Sequence, residues 1–196
     1  MRTGIKNNEF SVHAIAGTHV ITLAFDASEA TAKKLIGFAI FRTKFDHKGI
    51  ALNTGEWMTG YKPFKSDVPE PRPGDRYPMN TSPWQSFVWA DFAVEQKRKY
   101  EYKVYPVIGK PGQLVLGNAL TLMVTPEKTS GRTHEIFFNR GASASQAYAE
   151  HFDNIKPNDP SLSESEKKQR MAWLSRGLFE SLEAYIKQAK NSSYGL

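Results

Sequence analysis

The residues of this 196-residue chain that could do chemistry are five histidines, one serine-rich turn and a few cations set among aromatic side chains. Imidazoles serve as nucleophiles, proton carriers or metal ligands, so His13, His19, His47, His134 and His151 come first. The run Gly141-Ala-Ser-Ala-Ser145 lies between an expected strand and an expected helix, the setting of a serine nucleophile elbow. Its last position is serine instead of glycine, and His151 follows too soon to be the late triad member, so a capped helix start is the simpler reading. His151-Phe-Asp153 and Asp46-His47 each put a carboxylate beside an imidazole, but two ligands do not close a metal site. No metal and no cofactor are therefore expected. Gly109-Lys-Pro-Gly112 lacks the spacing of a phosphate-cradling loop and reads as a hairpin turn. Arg140, in Asn139-Arg-Gly141 just before a helix start, is a candidate contact for a phosphate, with a plain turn as the competing reading.

A second set of candidates is aromatic. The segment from Lys44 to Pro83 holds six prolines and four glycines, and so long a connection is either functional or an ordered excursion over a sheet. Within it Trp57, Tyr61 and Phe64 stand beside Lys62 and Lys65, a composition suited to a polymer, an anionic headgroup or a protein partner. The same aromatics would equally serve to anchor the excursion.

These residues need a scaffold, and periodicity supplies one. Phe10 to Ile15 and Val20 to Phe25 flank a Gly17-Thr18 turn, with Ile21, Leu23 and Phe25 alternating with small or polar residues. Ile36 to Phe41, Trp84 to Phe92, Tyr100 to Val107 and Ala119 to Val124 add strand-length runs, which together predict a β-sandwich. Tyr100, Tyr102 and Val104 share one strand face just after the polar turn 95–99, as in the tyrosine corner of fibronectin type III and immunoglobulin-like folds. After Pro126 the pattern changes. A polar hinge leads to a strand candidate at Glu135–Phe138, then to a short helix capped by Ser143 with Ala144, Tyr148 and Phe152 on one face. A longer helix starts at the capping pair Ser163 and Glu166, and its stripe of Met171, Leu174, Leu178, Leu182, Tyr185 and Ile186 requires a sheet to cover it. Gly177 inside that stripe predicts a kink or a close packing contact. The expected architecture is mainly β: an immunoglobulin/fibronectin III-like antiparallel sandwich over 1–127, then a strand-helix-helix extension over 128–196.

Composition sets limits on function. The absence of cysteine excludes disulfide scaffolds, thiolate metal sites and thiol nucleophiles. Lys and Arg number 26 against 20 Asp and Glu, a net charge of +6 that suggests anionic partners. The excess is spread through the chain, with 16 basic and 12 acidic residues up to Glu127 and 10 and 8 beyond it, so no dedicated nucleic-acid stripe is present. Without a signal-like apolar stretch or a membrane-length run, the chain is expected to be soluble and cytoplasmic.

The final third carries a resemblance. His134-Glu-Ile-Phe-Phe-Asn-Arg-Gly141 with Ala-Ser-Ala-Ser-Gln-Ala-Tyr148, Trp173-Leu-Ser-Arg-Gly-Leu178 and Glu183-Ala-Tyr-Ile-Lys-Gln-Ala-Lys190 resembles the entry segment of bacterial phospholipase D-like proteins. The sandwich is similar to the amino-terminal module of the same proteins. That resemblance implies a leucine- and alanine-rich helix ahead of a catalytic sheet, on which two His-x-Lys-x4-Asp motifs supply a histidine nucleophile and a histidine acid. The residues two places after the five histidines are Ile15, Ile21, Gly49, Ile136 and Asp153, and none is lysine. The chemistry needs one imidazole to attack phosphorus and another to protonate the leaving oxygen, so the motif is missing twice. The resemblance therefore implies a non-catalytic binding or targeting module, partnered by a catalytic portion or another protein, with contact to an anionic headgroup or phosphodiester as a further expectation. Two alternatives stand beside it. One is a stand-alone interaction module that uses the excursion 44–83; the other is a hydrolase that dimerises to build a site from Arg140, His134 and His151.

Overall fold

A computed structural model describes residues 2–72, 74–129, 133, 135–140 and 145–189. The chain forms two compact units, Met1–Lys128 and Thr129–Leu196.

In the first unit, side-chain alternation determines which strand faces turn inward. Strand β1 (Arg2–Lys6) pairs with β2 (Phe10–Ala16), which pairs with β3 (Ile21–Ala27); β8 (Val88–Asp91) completes this antiparallel sheet beside β3. Phe10, Val12, Ala14 and Ala16 of β2 and Ile21, Leu23 and Phe25 of β3 are buried at every second position, as a half-buried strand requires. A single-turn helix α1 (Glu29–Ala32) leads to the second sheet, which is built on β4 (Leu35–Phe45) and β9 (Lys99–Lys110). Strand β5 (Glu56–Trp57) extends it beyond β4, and β10 (Gln113–Leu116) and β11 (Leu120–Val124) pair with successive halves of β9. Both sheets are antiparallel, and their inner faces share one core, in which Phe38 and Ile40 of β4 and Tyr100, Tyr102 and Val104 of β9 meet the buried residues of β2 and β3. The architecture is a fibronectin III-like sandwich. Its tyrosine corner is present: the Tyr100 hydroxyl accepts the Glu95 backbone N–H at 2.7 Å.

The excursion 44–83 runs back onto this scaffold through β5 and a small ladder between β6 (Thr59–Gly60) and β7 (Tyr77–Pro78). Met79, fully buried, donates its N–H to the Met58 carbonyl and pins the returning chain. Gly37 is required where β4 passes Trp84, because a Cβ there would lie 2.5 Å from the Trp84 carbonyl oxygen.

The second unit is helical. The strand expected at Glu135–Phe138 is reduced to a bridge residue at Glu135, with 136–140 irregular. The Ile136 N–H bonds to Thr129 and the Arg140 N–H to Leu174, so these amides are satisfied without a neighbouring strand. Helix α2 (Gln146–Phe152) is capped by Ser145, whose Oγ accepts the Tyr148 N–H at 3.2 Å; Ser143 and Ala144 lie outside the described residues. Helix α3 (Glu164–Ser175) opens with the reciprocal Ser163–Glu166 capping box that its sequence predicts. The long helix expected beyond it is two helices. Arg176 and Gly177 adopt left-handed φ of 51° and 86°, which ends α3, and α4 (Leu178–Ala189) begins directly after them. Glycine at 177 permits that turn, and the Phe137 ring sits 3.4 Å from where a Cβ would project. No described helix is long and apolar enough to cross a membrane.

Candidate functional site

The aromatic candidates of the excursion divide by burial. Trp57 is half-buried against the sandwich, with its ring centroid 5.1 Å from Phe41 and 5.4 Å from Tyr105, so it anchors β5. Phe64 is half-buried, and its carbonyl accepts the N–H groups of Asp67 and Val68 in a turn; Lys65 is exposed beside it. Tyr61 is 52% exposed, with the Arg76 guanidinium 5.8 Å from its ring. Tyr61 and Lys62 line one wall of an open cleft of about 170 Å³, and Trp84 and Gln85 line the other. The Trp84 indole is fixed there by donating Nε1–H to the Val88 carbonyl at 2.8 Å.

Inside the sandwich lies a charge network that composition did not reveal. Arg42 follows Phe38 and Ile40 on the inward face of β4, and Asp91 follows Trp89 inward on β8. Arg42 Nη1 meets Asp91 Oδ2 at 2.5 Å, and Arg42 Nη2 reaches the half-exposed Glu56 at 2.5 Å. The same Asp91 oxygen accepts the Tyr102 hydroxyl at 2.8 Å, while Oδ1 accepts the Ala93 N–H at 2.9 Å. Burial alone would pull the Arg42 guanidinium down, but Asp91 and Glu56 more than offset it and hold it above its ordinary value. Burial, reinforced by the Asp91 charge, pushes the Tyr102 phenol well up. The network joins the two sheets, with Arg42 Nε the one buried nitrogen of the Arg42 side chain that has no hydrogen-bond partner.

In the helical unit an arginine–aromatic cluster takes shape. Tyr148 is fully buried and donates its hydroxyl to the Ile155 carbonyl at 2.7 Å, which closes the loop after α2. Its ring lies 5.0 Å from Phe152 and 5.7 Å from Trp173 of α3. Arg140 lays its guanidinium 3.6 Å from the centre of the Trp173 ring, a close cation–π contact held in place by the backbone bond to Leu174. His151 touches the same indole, with ring centres 5.4 Å apart. Arg170 is buried over Phe152 and donates to the Glu166 carbonyl. Burial pulls the guanidiniums of Arg140 and Arg176 below their ordinary value, and the neighbouring Arg176 charge pushes Arg140 further, to about 10. The Nε atoms of Arg140, Arg170 and Arg176 are all buried without a hydrogen-bond partner.

The sequence candidates therefore fare unequally. Arg140 and His151 meet at one indole, while His134 lies outside the described residues. Among the described residues no group of three or more His, Cys, Asp or Glu side chains could hold a metal. Ser145 is engaged as a helix cap. Nothing in the sequence marks Arg176 or Trp173 as site residues beyond the Arg-Gly pair inside an otherwise continuous apolar stripe.

Comparison with known proteins adds little. No protein-family model matches the chain, and no curated protein matches it. A solved structure described as "Myokine structure" is similar over 59% of this chain and 93% of its own, at 14% identity and a TM-score of 0.37. A likeness that slight carries no argument.

Proposed function

We propose that the chain is a non-catalytic binding and targeting module of the kind that fronts phospholipase D-like phosphodiesterases, and that its helical unit docks against the sheet of a catalytic portion. One observation carries the reading. Helix α4 exposes Phe179 at 65%, Leu182 at 55%, Tyr185 at 64% and Ile186 at 51%, a contiguous apolar stripe that rarely faces water on a soluble surface. Phospholipase D-like architecture places a sheet on such a helix, and no His-x-Lys pair is present to do the chemistry itself. The purified chain is expected to leave bis(p-nitrophenyl) phosphate intact, and to co-elute with a polypeptide from the same organism that carries the two His-x-Lys-x4-Asp motifs. The variant L182E/I186E should lose co-elution and keep its helical circular dichroism. Hydrolysis by the chain alone, or co-elution unaffected by L182E/I186E, refutes the proposal.

A second reading rests on the Tyr61–Trp84 cleft: an interaction module for a protein partner, in which the exposed Tyr61 is the anchor. Replacement of Tyr61 by alanine then abolishes partner capture with the sandwich intact. Trp57 serves the fold in either reading.

A further inference from the structure

We infer that the cleft between Tyr61 and Trp84 takes a proline-rich segment in the polyproline II conformation, with an acidic residue flanking its prolines. This rests on the reading of the cleft as an interaction site and names the chemistry of its partner. The cleft is built before any ligand arrives. Trp84 exchanges backbone hydrogen bonds with Phe38 of β4, at 2.9 Å and 2.8 Å, so it belongs to the sandwich scaffold. Its indole is held at both rings: Nε1–H is bound to the Val88 carbonyl, and a Cβ on Gly60 would lie 3.5 Å from Cε3. Pro83 is buried and lines the cleft with them, and Tyr61 keeps the Arg76 guanidinium 5.8 Å from its ring. Walls already fixed lose little freedom when a ligand enters, and stiff apolar rings are the guests that lose least themselves.

The polar groups of the cleft select among such guests. Ser82 is only 6% exposed and lines the cleft, and its hydroxyl bonds to no described residue. A hydroxyl buried to that extent calls for a partner, and the cleft is where one can enter. Gln85 and Lys62 are exposed on the same lining, and neither side chain is hydrogen-bonded or ion-paired to a described residue. The lining thus offers a hydroxyl, an amide and an ammonium, and no carboxylate. A polyproline II strand complements that set. It has no internal hydrogen bonds, so its carbonyls seek donors, and its rings recur along one face at about three residues per turn. Proline brings no N–H that would need an acceptor. An oligosaccharide would also suit aromatic walls, but each of its hydroxyls is a donor in need of an acceptor, and this lining is poor in acceptors. Lys62 is the one charged side chain of the lining, so the flanking residue it favours is acidic.

The test is titration calorimetry on the full chain at constant ionic strength, with acetyl-Glu-Pro-Pro-Ala-Pro-Pro-Glu amide as the probe. The comparisons are the same peptide with Lys for both Glu, the same peptide with Ala for every Pro, and cellohexaose. The acidic proline peptide should bind, and each comparison should bind more weakly. Tyr61→Ala should weaken binding by at least about tenfold, as the loss of an interface anchor does. Ser82→Ala should weaken it about fivefold, the loss of one neutral hydrogen bond. Lys62→Glu should reverse the flank preference, so that the Lys-flanked peptide binds better, a gain that a misfolded variant could not show. Lys110→Glu, exposed at the end of β9 and outside the cleft, should leave the preference as it was. Failure of the acidic proline peptide to bind, equal or tighter binding of the alanine peptide or of cellohexaose, or a flank preference unmoved by Lys62→Glu overturns the inference. Sedimentation velocity tests one further occupant: self-association abolished by Lys62→Glu would give the cleft to Pro69-Glu-Pro-Arg72 of a second copy, an exposed stretch of the same excursion, and overturn a separate partner. Failure of the peptides removes the proline assignment alone; the interaction reading falls when Tyr61→Ala leaves capture of a protein partner intact.

Discussion

Replacement of Asp91 by alanine probes the sandwich most sharply, because one carboxylate there serves three donors. Its Oδ2 meets Arg42 and Tyr102, its Oδ1 meets the Ala93 N–H, and both Asp91 and Arg42 are buried. Breaking a buried pair by removing one partner leaves an uncompensated charge, at about 3–5 kcal/mol. The abandoned Tyr102 hydroxyl and Ala93 N–H add about 1–3 kcal/mol each where water cannot reach them. Arg42 keeps Glu56, and water entering the space the carboxylate leaves offsets most of the cost to the Tyr102 hydroxyl and the Ala93 N–H, so a net loss of about 4 kcal/mol is expected. Typical domain stabilities are about 5–15 kcal/mol, so the variant should still fold. Urea titration followed by fluorescence is a suitable assay, since Trp89 lies edge-on to Tyr102 at 6.3 Å and senses the network. With a slope near 2 kcal/mol per molar, the midpoint should fall by about 2 M. Glu56→Gln should lose no more than about 1 kcal/mol, because that partner reaches solvent. The triple variant R42M/D91L/Y102F removes every side chain of the buried network and should recover most of the loss. A loss below about 1 kcal/mol in Asp91→Ala, or a triple variant no better than the single, would refute the view that the pair is dry and mutually dependent.

Three further outcomes follow from the same coordinates. The folded Tyr102 value lies above its unfolded value near 10, so the stability it supports is full below pH 10 and declines as pH rises toward the folded value; Tyr102→Phe should flatten that alkaline slope in pH-dependent urea midpoints. Ser163→Ala removes the Oγ that accepts the Glu166 N–H, leaving the backbone half of the capping box, and should destabilise α3 by about 1 kcal/mol, read as lower helical circular dichroism at intermediate temperature. Gly109 has φ of 108°, and a Cβ there would lie 2.3 Å from the Gln113 carbonyl oxygen, so Gly109→Ala should cost the sandwich at least about 2 kcal/mol in the same urea assay.

What the sequence reveals depends on whether an element's neighbours impose a period on it. Strands β2, β3, β9 and β11 each bury one face, so alternation exposes them, and the tyrosine corner at Tyr100 is legible for the same reason. Strand β1 has Ile5 as its only large apolar residue and buries neither face, so no period marks it. The division between α3 and α4 is half-legible: Gly177 predicts a kink or a close packing contact, but the left-handed Arg176 makes the break a full stop, with the Phe137 ring packed near Gly177. The charged residues follow the same logic. Arg42 and Asp91 were readable in principle, since Phe38-x-Ile40-x-Arg42 and Trp89-x-Asp91 keep the inward phase of their strands and place opposite charges on facing sheets. Arg140 and Trp173 lie far apart in the chain, and nothing periodic links them; only folding lays the guanidinium on the indole and bonds the Arg140 N–H to Leu174. A period shows what a strand or helix must cover, whereas a cation–π contact between distant positions leaves no repeat in the sequence. That difference is why alternation makes the sandwich strands legible, while the cluster around Trp173 takes shape only in the folded helical unit.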